Sequence, residues 1–251
     1  MDDASDSPVY AILGATGGIG TALTRRLAAS GARLALAART EEPLARLARE
    51  HGAFMRALDA AKEPESVVDF LKAVTEEYGR LDGAVNLAGS ILLKPAHATS
   101  PAEFDETLAQ NLMSAFALVR AAAPRMRSGG GSIVLVSSAA ASVGLANHEA
   151  IAAAKGGVEG LARAAAATYA RSGVRVNAVA PGLVRTRMSE RLLANEALEK
   201  TSAALHALGR VGEPDDVAAA IAWLLGPESS WVTGQVLGTD GGLARVRPAG
   251  R

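Results

Sequence analysis

The chain reads as an α/β domain: a parallel sheet of about seven strands with helices on both faces, in one domain of 251 residues. Three observations predict it. Short apolar runs alternate with helix-period segments from end to end, the rhythm of repeated βαβ units. A glycine-rich turn follows the first apolar run directly. No linker, internal repeat or low-complexity stretch divides the chain, and with 49% apolar residues it can bury a single large core.

Each element has its own signal. "VYAIL" is the first strand, and the helix pattern over 21–30 is closed by Gly31 just past its end. "RLALAA" precedes a helix over 43–50, and "AFMRAL" precedes one over 64–78 that opens on proline. After "LDGAVNLA" a long helix starts at "SPAE", where Ser100 is the N-cap, Pro101 the first helical residue and Glu103 the acid of a capping box. "SIVLVSS", a helix over about 148–171, "VRVNAVA" and "GQVLGTDGG" complete the series. The domain is expected to run over 1–251, with frayed tails at 1–7 and 245–251 and an amphipathic segment at 186–208 expected to be a mobile lid.

Composition narrows the function. The 26 basic and 26 acidic residues cancel without long runs of either sign, so nothing steers the chain to nucleic acid or an anionic membrane. A small-molecule partner fits better. Absence of cysteine excludes disulfides and thiolate metal sites, and no metal site is expected. The start "MDDASDSP" has no basic n-region, and no apolar stretch reaches the roughly 18 residues that span a bilayer. A cytoplasmic location is expected.

In "AILGATGGIGTAL", Gly14, Gly18 and Gly20 stand between an apolar strand and the mouth of a helix. Glycine is needed where a β-carbon would block both the turn and the close approach of a phosphate to the helix amides. Tight turns use the same residues, so the motif has a plainer reading when taken alone. At the end of the second strand, Ala38 occupies the place where an acid would bind ribose hydroxyls, and Arg39 follows. A guanidinium there pairs with a 2′-phosphate and stacks on adenine, which favours NADP(H) over NAD(H). The alternative is a solvated arginine at a strand end.

Four segments in chain order carry a resemblance: Gly14-x3-Gly18-x-Gly20, "NLAG" at 86–89, the strip from Ser138 to Lys155, and "PGLVRT" from Pro181. Together they resemble the short-chain dehydrogenase/reductase family over residues 8–243, and are similar to its bacterial 3-oxoacyl-carrier-protein reductases. The resemblance implies a single Rossmann-fold domain, usually a homotetramer, that interconverts a carbonyl and a secondary alcohol with NADP(H). It implies cofactor contacts from Gly14, Thr16, Gly18, Ile19 and Gly20, from Asp59 on the adenine, and from Asn86, Ala88 and Gly89. Pro181 and Gly182 would turn beneath the nicotinamide, with Val184 and Thr186 on its carboxamide. Leu87 departs from the second asparagine of the family's strand-end signature.

Carried over position by position, the family's Asn, Ser, Tyr and Lys fall on Asn111, Ser138, Ile151 and Lys155. Asn111 would place a water on the proton path, Ser138 would polarise the carbonyl, and Lys155 would hold the ribose of the nicotinamide. Ile151 has no proton to give. A general acid contributes about 10²–10⁴ in rate, so its loss slows such a reaction without forbidding it. His148, three residues earlier, is a candidate substitute and Glu149 a weaker one; the plainer reading makes His148 a polar residue at a helix start or a pocket wall. Two functions stay open. One is an NADP(H)-dependent oxidoreductase with altered proton delivery. The other is an impaired or inactive NADP(H)-binding protein, a sensor or an oligomer partner.

Overall fold

A computed structural model describes residues 6–247 of the chain. The remainder of the expected tails, 1–5 and 248–251, lies outside the described residues. Residues 245–247 fold back on the turn before them, the Val246 amide donating to the Gly242 carbonyl at 2.9 Å.

The sheet has seven strands: β1 (Val9–Leu13), β2 (Arg33–Ala38), β3 (Phe54–Ala57), β4 (Gly83–Asn86), β5 (Gly131–Val136), β6 (Val174–Pro181) and β7 (Val236–Thr239). All pairings are parallel, in the order β3-β2-β1-β4-β5-β6-β7. A parallel pair needs a crossover between its strands, and the helices that provide it cover both faces. Val9, Ala11 and Leu13 of β1 join one apolar cluster with α3 (Pro64–Tyr78), α5 (Ser114–Met126) and α6 (Glu149–Tyr169). Tyr10 and Ile12 point the other way, into a cluster with α1 (Gly18–Ala29), α2 (Glu41–His51) and α8 (Pro214–Leu225). Strands buried on both faces read as continuous apolar runs, which is why "VYAIL" and "RLALAA" show no alternation. Each fully buried side chain such as Ile12, Phe70 or Leu118 contributes about 1.5–3 kcal/mol.

Some expectations change. The first helix begins at Gly18, so the last two motif glycines lie within its first turn. The long helix after Ser100 is two helices, α4 (Pro101–Leu108) and α5, joined by one π turn at Ala109–Met113. Its start is as expected: the Ser100 hydroxyl accepts from the Glu103 amide at 3.2 Å, and Glu103 Oε2 accepts from the Ser100 amide at 2.9 Å. Segment 186–208 holds 3₁₀ turns at Arg187–Leu193 followed by α7 (Glu196–Leu205).

The strand order reverses between β1 and β4, because the chain winds outward through β2 and β3 and then returns to the other side of β1. In such sheets the ligand crevice opens at the carboxyl ends of the strands beside that reversal.

Candidate active site

Every strand from β1 to β6 is followed by residues that line one continuous cleft. A wider half of about 590 Å³ is bounded by Gly14 and Thr16 after β1, Arg39 after β2 and Asp59 after β3. A narrower half of about 210 Å³ is bounded by Ser137 and Ser138 after β5, Pro181 to Val184 at and after β6, and Ile151 and Lys155 of α6. Gly14, Gly17, Gly18 and Leu87 to Ile91 border both.

The glycines are required by contact. Gly14 has φ +77°, and a β-carbon there would stand 2.7 Å from the Ala88 amide nitrogen. A β-carbon on Gly20 would meet the Gly14 and Ala15 carbonyl oxygens. The turn is thus pressed against the end of β4 on one side and left open to the cleft on the other, a cradle only bare backbone can form. Asp59 closes β3 with an Asx turn, its Oδ1 accepting from the Ala61 amide at 3.0 Å and the Lys62 amide at 3.2 Å. Arg39 is exposed and has no ion-pair or hydrogen-bond partner among the described residues.

Asn86 is not in the cleft. It is buried behind it, with Nδ2 donating to Ser114 Oγ at 3.0 Å and Oδ1 accepting from the Ala88 amide at 3.1 Å. Its part is to hold the Leu87–Ala88–Gly89 turn from the rear.

Asn111, Ser138, Ile151 and Lys155 all line the narrow half. Asn111 sits in the π turn, 1% exposed. Its Nδ2 donates to the Thr107 carbonyl at 2.9 Å and to Ser90 Oγ at 3.2 Å, while Oδ1 accepts from the Ser90 amide at 3.3 Å. A side chain at position 89 would stand 2.8 Å from Asn111 Oδ1 and 3.7 Å from Lys155 Nζ, so Gly89 leaves both groups their room. Lys155 is 7% exposed and donates to the Val136 carbonyl at 2.8 Å. Burial disfavours its charged form and lowers its pKa from 10.5 to about 8. Of the serine pair, Ser137 is tied back to α6, donating to Glu159 Oε1 at 2.9 Å. Ser138 Oγ accepts from the Ala140 amide at 3.2 Å, which leaves its proton without an acceptor among the described residues. Ile151 is 5% exposed and presents an alkyl wall to this half.

His148 is not brought to this wall. It is the N-cap of α6, at φ −110° and ψ 13°, after a left-handed Asn147 at φ 64°. The helical period that would align it with Ile151 does not extend to a residue with non-helical torsions. Its Nδ1 lies 2.7 Å from the Ala146 carbonyl, and it lines neither half of the cleft.

Two contributors had no sequence signal. Ser90 is the reciprocal partner of Asn111. His206, buried, accepts the Leu183 amide proton on Nε2 at 3.1 Å, and its Nδ1 lies 2.8 Å from the Ser202 carbonyl. Thr186 caps the 3₁₀ segment, its amide donating to Ser189 Oγ at 3.0 Å. Val184 pairs in a short parallel bridge with Gly212.

The described residues hold no cluster of three or more His, Cys, Asp or Glu suited to a metal ion, and no helix long and apolar enough to cross a membrane. A β-carbon-free turn at a helix mouth, an uncommitted arginine at the end of β2 and a buried lysine at the far end suit a dinucleotide laid across the strand ends.

Comparison with known proteins agrees. A family model described as enoyl-(acyl carrier protein) reductase matches residues 14–244. The 3-oxoacyl-(acyl-carrier-protein) reductase of Thermotoga maritima is 35% identical over 243 residues, 95% of this chain and 98% of that protein. A short-chain type dehydrogenase/reductase from Mycobacterium ulcerans superposes with TM-score 0.90 at 31% identity, over 94% of this chain and 90% of that one. The structure of an actinorhodin polyketide ketoreductase with NADPH also reaches 0.90 at 31% identity, over 96% and 99% of the two chains.

Proposed function

We infer, for a chain that belongs to the short-chain dehydrogenase/reductase family, that it is an NADP(H)-dependent oxidoreductase interconverting a carbonyl and a secondary alcohol, with proton delivery moved away from position 151. The observation that carries the reading is the pairing, in one cleft, of an intact cofactor cradle with Ser138 and Lys155 at its narrow end. The preference for NADP(H) rests on Arg39, uncommitted where the second strand ends on Ala38 rather than an acid.

The cofactor, when bound, supplies a hydride to the carbonyl carbon. The chain's residues do the rest. Gly14, Thr16, Gly18 and Ile19 would hold the phosphates, Asp59 the adenine, and Gly182, Val184 and Thr186 the nicotinamide end. Ser138 donates its free proton as a hydrogen bond to the reacting oxygen and holds the negative charge that develops there. Lys155 supplies the proton, directly or through a water held by Asn111, because a lysine of pKa about 8 is a stronger acid than an ordinary one. Ile151, Leu183 and Met188 line this half with apolar groups and favour an apolar substrate body.

Position 151 favours a second reading, an NADP(H)-binding protein with little or no turnover. Titration with NADPH followed by a carbonyl panel separates the two. Binding with turnover that disappears in Lys155→Ala supports the oxidoreductase. Binding without turnover supports the second reading, and no binding overturns both. Exposed Phe104 on α4, Met113 in the π turn, Phe116 on α5 and Trp231 support the expectation of a homotetramer.

A further inference from the structure

Among the described residues, the lining of the cleft includes three cationic side chains, Arg39, Lys155 and Arg187, against one carboxylate, Asp59. The whole chain has a formal net charge of +0, so this excess is local. Asp59 is engaged by two backbone amides and Lys155 by the Val136 carbonyl. Arg187, like Arg39, is exposed and without an ion-pair or hydrogen-bond partner among the described residues. Arg185, two residues earlier, is different: Glu199 at 2.6 Å and Glu213 at 3.2 Å neutralise it.

Position separates the three cations. Arg39 borders only the wide half and Lys155 only the narrow half, whereas Arg187 borders both. The residue before it, Thr186, lies on the first turn of α1, where a β-carbon at Gly18 would stand 3.0 Å from Thr186 Cγ2. Arg187 therefore projects from a backbone held against the mouth of α1. There the first amides have no helical acceptor, and the diphosphate joins the two halves of a dinucleotide.

We propose that Arg187 clamps the diphosphate of the bound dinucleotide from the side opposite the glycine-rich turn, an assignment that rests on reading this cleft as the NADP(H) site. Arg39 then faces the 2′-phosphate and Arg187 the diphosphate, so the two arginines recognise different parts of one anion. A guanidinium pairs with phosphate oxygens through two parallel hydrogen bonds, which an ammonium cannot do.

The test is calorimetric titration of the full chain, native and as Arg187→Ala, Arg187→Lys and Arg39→Ala, with NADPH, NADH and 2′-AMP. Arg187→Ala should weaken NADPH and NADH alike by about 10-fold, the effect of one charge-assisted hydrogen bond, while 2′-AMP, which has no diphosphate, binds as before. Arg187→Lys should recover part of the loss. Arg39→Ala should show the converse, weakening NADPH and 2′-AMP far more than NADH, which loses only the stacking on adenine. An Arg187→Ala protein that binds both dinucleotides within twofold of native overturns the proposal. So does equal weakening of 2′-AMP, which would place the guanidinium on the adenosine end. If the native protein binds neither dinucleotide, the NADP(H) reading fails first and takes the clamp with it.

Discussion

Replacing Ile151 with tyrosine should raise carbonyl reduction by at least about 100-fold, and the size of that effect follows from where the residue lies. Ile151 is one helical turn before Lys155 on α6, and both line the narrow half of the cleft. A phenol there would stand beside Ser138 and within the influence of the Lys155 cation, which lowers a phenol's pKa. A positioned general acid contributes about 10²–10⁴ in rate, or about 3–5 kcal/mol of barrier. The substitution enlarges a side chain that is 5% exposed, but it faces a cavity of about 210 Å³ and not the sheet core. Overpacking should then stay near the low end of the usual ~1–3 kcal/mol. The assay is steady-state reduction of a carbonyl panel with NADPH near pH 7, with Ile151→Phe as the control that adds a ring without a hydroxyl. The expected result is a large rise in kcat for tyrosine, none for phenylalanine, and NADPH affinity within twofold of native for both. Equal rates for the two variants would refute the reasoning, since the ring and not the proton would then be acting. A fall in rate with tyrosine would mean that the isoleucine itself shapes the reactive complex.

Two further outcomes come from the same groups. Lys155 has its pKa lowered to about 8 by burial, so between about 8 and 10.5 the unfolded chain holds the proton more tightly and stability rises with pH. Lys155→Met should therefore melt higher than native at pH 7, with the gap closing as pH rises through that window; a gap independent of pH in thermal melts would refute the burial cost. Gly14→Ala puts a β-carbon on a residue at φ +77°, 2.7 Å from backbone, and should combine about 1–3 kcal/mol of conformational strain with a displaced turn. A lower melting temperature and at least a tenfold weaker NADPH titration are expected, and native-like values in both would sink the cradle argument.

What could be read in the sequence is what rests on local rules. "VYAIL" and "RLALAA" mark their strands to the residue because a strand buried on both faces needs an unbroken apolar run. The capping box at Ser100 is visible because its two hydrogen bonds span only three residues. The glycine spacing is visible because its cause is the missing β-carbon, which no neighbour can supply. Position-by-position resemblance points to Asn111, Ser138 and Lys155, but not to what presents Asn111. That is a π turn, one extra residue in a helix, and nothing in "AQNLM" distinguishes it from ordinary helix.

Where side chains point is settled by the fold and not by local rules. Counting back three residues from Ile151 aligns His148 with it only inside the helix, whereas Asn147 at φ 64° and the N-cap torsions end the period one residue too early. For Asn86 the motif records that a residue is needed and not which way it faces; its side chain faces Ser114 and acts on the cleft through the Ala88 amide. His206 and Ser90 had no motif, because their partners are 23 and 21 residues away and joined only by the fold. Arg187 is the instructive case. In sequence it is one of two arginines flanking Thr186, chemically alike. Only the structure shows that Glu199 and Glu213 consume the first and leave the second facing the cleft. A charge is informative about a ligand once its internal partners are counted, and that count depends on which acids α7 and α8 bring back to the end of β6.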